Sequence, residues 1–134
     1  MNTSREHEPG IRKIPAHHSV AETLDRLAAL LNERGVAIFA RLDFQADAAK
    51  NGLTMHPEQQ LIFGNPKAGT PLMIANPAAA LDLPLRVICW QDEAGNTWLA
   101  YNDPAYIIER HGLADALAKN LAAVIPLIEK AAAE

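Results

Sequence analysis

Apolar residues recur at Val20, Leu24, Leu27, Ala28 and Leu31, three and four apart, which sets them on one face of a helix. Ser19-Val20-Ala21-Glu22 precedes them as a capping box, in which the Ser19 hydroxyl accepts from the Glu22 amide and Glu22 reaches back. Gly35 follows, where a left-handed residue closes a helix. Ahead of this helix, Ile11 to His17 holds Ile11, Ile14 and Pro15 and reads as a short strand that ends early. Behind it, Val36 to Phe44 is β-branched and aromatic, and its near-continuous apolar start predicts a central strand.

Asp47 to Asn51 suits one helical turn, ended by Gly52. A second strand is expected over Glu58 to Phe63, after the turn at Pro57. Thr70 to Ala75 reads as a short helix with Thr70 as cap and Pro71 in the first position. Asn76-Pro77 starts another through Leu81, and Asp82-Leu83-Pro84 ends it, since the residue before proline avoids the helical region. Leu85 to Asp92 and Thr97 to Asn102 form a hairpin across the polar loop 92–96. Asp103 caps a helix through Ile108, with Arg110 and His111 in its last turn and Gly112 as its stop. A final helix carries Leu117, Leu121, Val124, Ile125 and Ile128, and Pro126 kinks it by removing the bond to Ala122. Strands bunched between helices give an α+β fold, an antiparallel sheet with helices on one face.

Composition adds limits to this picture. The 134 residues suit a single domain over residues 9–134, preceded by a loose tail over residues 1–8. A net charge of −4 argues against a general nucleic-acid binder. No apolar run approaches the length of about 20 residues that a membrane span needs. The N-terminus lacks the apolar centre of a secretory signal, and Cys89 is the only cysteine, so a cytoplasmic protein is expected. Cys89 lies in an apolar run, as a buried, inert thiol would.

The candidate chemistry centres on Leu61-Ile62-Phe63-Gly64-Asn65-Pro66-Lys67-Ala68-Gly69-Thr70-Pro71-Leu72-Met73. Gly64 and Gly69 have the spacing of a nucleotide-binding loop, but Thr70 stands where the lysine belongs and Lys67 falls between the glycines. Pro66 and Pro71 each remove an amide donor. Two readings stay open. One is a plain anion site, with charge from Lys67 and amides from Gly69, Thr70 and Leu72. The other is a strand-to-helix corner whose glycines supply unusual dihedrals. Tyr101 and Asn102 offer hydrogen bonds to a ligand, with Asp103 beside them as a helix cap. Asp82 and Asp103 are the carboxylates for acid–base work, if they meet. His7, His17, His18, His56 and His111 show no metal-binding spacing, so neither metal nor cofactor is expected. Arg41 and Arg86 are expected on the open sheet face, or paired with acids there.

The loop segment, followed by Ala80-Leu81-Asp82-Leu83-Pro84-Leu85 and later by Tyr101-Asn102-Asp103-Pro104, resembles the bacterial and archaeal domain of unknown function 302 family. The resemblance runs from the capping box to the final helix. It implies a β-α-β(4)-α fold like the saddle-shaped sheet of TATA-binding protein, and it suggests a homodimer. It implies no activity. The expectation is a dimeric binding or accessory module for a small polar or anionic ligand, with a site drawn from Asn65, Lys67, Gly69, Thr70, Asp82, Tyr101 and Asp103. The rivals are an enzyme using Asp82 or Asp103 with Lys67, and a purely structural domain whose open sheet face pairs subunits.

Overall fold

The structure, a computed structural model, describes residues 8–134. His7 and, apart from Glu8, the expected tail lie outside the described residues. The strands are β1 (Ile11–Ala16), β2 (Ala37–Asp43), β3 (Glu58–Gly64), β4 (Leu85–Gln91) and β5 (Thr97–Asn102). The helices are α1 (Val20–Glu33), α2 (Phe44–Lys50), α3 (Pro66–Ala75), α4 (Pro104–Arg110), α5 (Ala118–Ala122) and α6 (Ile125–Ala132). Short 3-10 segments cover Pro77–Asp82 and Asp115–Leu117. The sheet is antiparallel throughout, in the order β1-β5-β4-β3-β2.

β2 is therefore an edge strand, where a central one was expected. Its apolar run serves two other purposes. Ile38 opposes Phe63 and Ala40 opposes Ile62, so Phe39 is an extra residue in a bulge, and its ring is 56% exposed. Bulges at sheet edges re-aim a side chain in this way. The strand also ends one residue early, because the Asp43 carboxylate accepts from the Ala46 amide and starts α2 at Phe44.

The alternation along the strands sorts the sheet into two faces. Leu61, Phe63, Val87, Cys89 and Leu99 are buried beneath α1 and α6, whose contributions include Leu24, Leu27, Leu31 and Ile128. Burying each of these large side chains contributes about 2 kcal/mol. A second cluster joins Leu72, Ala79, Ile107, Ile108, Leu113 and Leu121 beneath α3, α4 and α5, and Leu85 packs against both clusters. Helices thus cover one face, as expected.

Ser19 caps α1 through the Glu22 amide at 3.2 Å. The reciprocal half of the capping box gives way, because Glu22 Oε2 turns to His18 Nδ1, 3.7 Å away. Gly35, with φ +71°, closes the helix. Arg41 lies on the helix-covered side, not the open face, and donates to Asp25 Oδ1 at 2.6 Å and to the Ala21 carbonyl at 3.0 Å. The expected final helix is interrupted more fully than a kink requires. It divides into α5 and α6, with Pro126 in the first turn of α6, where its missing N–H costs no bond.

Thr23 is fully buried, and among the described residues its hydroxyl meets only the buried Cys89 thiol, a weak hydrogen-bond partner. A valine there keeps the shape and removes the poorly satisfied hydroxyl. Thr23→Val is expected to raise stability by about 1 kcal/mol, measured as a shift of the urea midpoint at constant slope. A loss of stability would show that the hydroxyl is satisfied in solution.

Candidate functional site

The segment from Leu61 to Met73 forms β3, a single turn residue and α3. Asn65 is the cap: its Oδ1 accepts from the Lys67 amide at 3.0 Å. Its carbonyl accepts from Ala68 at 2.9 Å and Gly69 at 3.0 Å. Pro66 occupies the first helical position. The helix thus begins one turn before the expected Thr70-Pro71 start. Asn65-Pro66 is the same cap-and-proline signal as Asn76-Pro77, and the earlier copy takes effect. Pro71 lies inside the helix, and its missing N–H leaves the Lys67 carbonyl without its intrahelical donor.

This overturns the amide cradle. The Gly69 amide is engaged with Asn65, and Thr70 and Leu72 lie within the helix. Gly69 does not supply an unusual dihedral either, because its φ is not positive. Gly64 matters through close approach: a Cβ there would lie 3.3 Å from the Phe39 ring and 3.6 Å from Pro84 Cβ.

What the segment does build is one wall of a cleft of about 280 Å³. Asn65, Pro66, Ala68, Gly69, Thr70 and Met73 come from the turn and α3. Val36 and Phe39 come from β2 and its approach, and Phe63 from β3. Leu83, Pro84 and Leu85 close another side, and Asn120, Leu121, Ala123 and Val124 complete it from α5 and the residues after it. The lining draws Val36, Phe63 and Val124 from one apolar cluster and Leu83 and Leu121 from the other, so the cleft lies at the seam between them. Its wall is apolar except for Asn65, Thr70 and Asn120, and no charged residue lines it.

Of the expected site residues, Asn65, Gly69 and Thr70 meet here. Lys67 is on the same helix but exposed and outside the lining. Asp82 accepts from His111 Nε2 at 2.6 Å and from Arg110 at 3.1 Å. Asp103 caps α4 through the Ala105 amide and pairs with Arg12 Nε at 2.9 Å. Tyr101 lies on the covered face opposite Arg12 and Val87. Burial pushes its phenol above the ordinary value, with Glu129 adding to the shift and Arg12 opposing it. The two carboxylates thus serve separate networks, and no two of Lys67, Asp82 and Asp103 share a hydrogen-bond partner among the described residues. Cys89 is fully buried, and burial pushes its thiol up to about 12. That is no nucleophile at neutral pH.

Sequence reasoning missed Phe39, Leu83, Leu85, Asn120 and Val124 as cleft residues. Leu83 and Leu85 lie in a segment that carries the family resemblance but nothing there marks them as lining, and Phe39, Asn120 and Val124 sit in no motif. The bulge that aims Phe39 is visible only in the strand register, and Asn120 is an ordinary helical residue until the Ala68 carbonyl is placed 3.2 Å from its Nδ2.

The family model for "Domain of unknown function DUF302" matches residues 12–131. The chain belongs to the DUF302 family. A crystal structure of an uncharacterised conserved DUF302 protein from Bacillus stearothermophilus superposes with a TM-score of 0.76 at 17% identity, covering 93% of this chain and 97% of that one. Two relatives from Brucella suis biovar 1 and Brucella melitensis biotype 1 bear the names "Fluoride-specific ion channel FluC 1" and "FluC 2". Each is 42% identical over 106 residues, which is 79% of this chain and 42% and 39% of theirs. This DUF302 chain thus spans about two fifths of the curated relatives it matches. Among its described residues no helix is long and apolar enough to cross a membrane.

The Asp82 network ties the end of α4 to the 3-10 segment Pro77–Asp82. Asp82→Ala strands the buried His111 ring and is expected to cost about 1–3 kcal/mol of stability. Chemical denaturation checks the loss, and an unchanged midpoint would remove that role.

Proposed function

We propose that this DUF302 chain is a binding module whose site is the cleft at the seam, and that its ligand is small and largely apolar. The observation that carries this reading is the cleft wall, which is wide, apolar and free of charged groups. Its volume is nearly twice that of an engineered cavity of about 150 Å³ that takes up benzene. Small-molecule sites combine such a wall with a few fixed polar groups, as Asn65, Thr70 and Asn120 do here. The wall moves the expected ligand away from an anion. Lys67 supplies no lining, and a carboxylate would meet no counter-charge there. Catalysis by Asp82 or Asp103 loses its support for the reason already given: each is committed to another network. We propose no ion conduction for this chain. The single thiol gives no disulfide framework, which suits a reducing compartment, and we place the protein in the cytoplasm.

Titration with the neutral fluorescent dye N-phenyl-1-naphthylamine tests the cleft. The dye is expected to bind with enhanced emission. A Cβ at Gly69 meets only Leu83 Cδ1, at 3.9 Å, so Gly69→Leu keeps the helix and fills the cleft. That variant is expected to weaken binding at least about tenfold, as loss of a well-filled apolar site does. Lys67→Ala is expected to leave binding unchanged. No binding to the unaltered protein, or equal binding to Gly69→Leu, would overturn the reading.

A second surface favours self-association. The uncovered face presents Ile62, Ile88, Trp90 and Trp98, with Trp90 directly opposite Trp98. Its charged side chains are Lys13, Glu58 and Arg86. Five strands at about 4.8 Å spacing give a footprint of roughly 500 Å². Two copies pairing about a twofold axis would bury about 1,000 Å², the lower bound for a specific interface. We propose that a second copy of the chain covers this face. Sedimentation at micromolar concentration is expected to report a dimer, and Ile88→Glu, folded by circular dichroism, a monomer. A monomeric unaltered protein would sink the proposal.

A further inference from the structure

We infer that the cleft's ligand ends in a neutral group that both donates and accepts hydrogen bonds, of which a carboxamide is the simplest, and that Asn65 and Asn120 read it. The inference rests on the cleft being a ligand site. Its basis is the orientation of two side-chain amides. Asn65 Oδ1 accepts from the Lys67 amide, so Nδ2 is the atom left over, and it can only donate. Asn120 Nδ2 donates to the Ala68 carbonyl, so Oδ1 is left over, and it can only accept.

Neither leftover atom has a hydrogen-bond partner among the described residues. Both side chains are half-buried, line the cleft, and are anchored to adjacent residues in the first turn of α3. The backbone therefore sets one donor and one acceptor at the same end of an apolar cleft. Free rotation cannot interchange them, because turning either amide over would break its anchoring bond.

This pair discriminates between head groups. A carboxylate would accept from Asn65 but would face the Asn120 oxygen lone pairs, with no cation in the wall. An ammonium group would have the opposite conflict at Asn65. A carboxamide satisfies both, its oxygen accepting from Asn65 and its N–H donating to Asn120. The Thr70 hydroxyl, exposed on the same helix, serves as donor or acceptor and does not discriminate.

Displacement of bound N-phenyl-1-naphthylamine by hexanamide and by hexanoate at neutral pH tests the inference. Hexanamide is expected to displace the dye about tenfold more effectively, as one stranded buried polar group demands. Asn65→Asp keeps the cap, because a carboxylate still accepts from the Lys67 amide, but it replaces the donor with an acceptor. Its dye affinity is expected to stay within about twofold, while hexylammonium, which now meets two acceptors, overtakes hexanamide as the better displacer. Asn120→Leu is expected to narrow the preference for hexanamide over hexanoate, because the oxygen that opposes a carboxylate is gone. If hexanoate displaces as well as hexanamide while the dye still binds, or if neither variant changes the order or the size of these preferences, the inference is overturned and the cleft stands. If the dye does not bind the unaltered protein, the cleft reading itself fails, and the inference goes with it.

Discussion

A five-stranded sheet has two faces, and this chain has helices enough for one. Everything else follows from how that single layer is divided. α1 and α6 lie side by side and bury the β3, β4 and β5 positions through Leu24, Leu27, Leu31 and Ile128. The Arg26 guanidinium locks the pair by donating to the carbonyls of Lys130, Ala131 and Ala133 at the end of α6, groups with no helical partner of their own. α3, α4 and α5 form the other part, with its own apolar cluster. Two blocks of helix on one sheet do not close without a seam. Leu85 touches both, and the cleft opens there.

The polar groups at the seam are used first for folding. Asn65 supplies its side-chain oxygen and its carbonyl to three amides of α3, while Asn120 fastens α5 to α3 through the Ala68 carbonyl. Only what remains of each amide is open to a ligand. The same segment that looked like a phosphate loop therefore spends its backbone donors on its own helix. An anion arriving there would compete with bonds already made, in a wall with no positive charge.

Local signals in the sequence were legible because their physics is local. The caps at Ser19, Asn76 and Asp103, the helix end at Gly35 and the 92–96 hairpin each depend on a few neighbouring residues, and each forms. Signals in competition were harder. Asn65-Pro66 and Thr70-Pro71 are both plausible helix starts one turn apart, and nothing within either decides between them. β2 misled for another reason: an apolar run fits a central strand, and it equally fits an edge strand carrying a bulge whose aromatic lines a cleft. The family was readable from the long loop segment, and the 0.76 TM-score at 17% identity shows how little else the fold requires of the sequence. The candidate site was half legible. Asn65, Gly69 and Thr70 lie in the conspicuous segment, whereas Asn120 is brought beside them only by the packing of α5 on α3, a long-range contact that no spacing encodes.

α3 is the weakest element of the seam by its own composition. Two prolines, a glycine and a threonine occupy its ten residues, and all are poor helix formers in an interior. It holds together through its Asn65 cap, the bond from Asn120, and Leu72, which is fully buried. Three of its first five residues line the cleft without contributing a large side chain: Ala68, Gly69 and Thr70. Small residues on a helix with little intrinsic stability make a wall that is open and adjustable, as binding elements drawn from the less stable parts of a fold are. The rigid part lies opposite, in Phe63 and Leu85 on two paired strands of the sheet. A ligand in the cleft would join the two, adding contacts to a helix of low intrinsic propensity. The low helical propensity of LIFGNPKAGTPLM after its strand thus counts as a property of the site as well as of the fold.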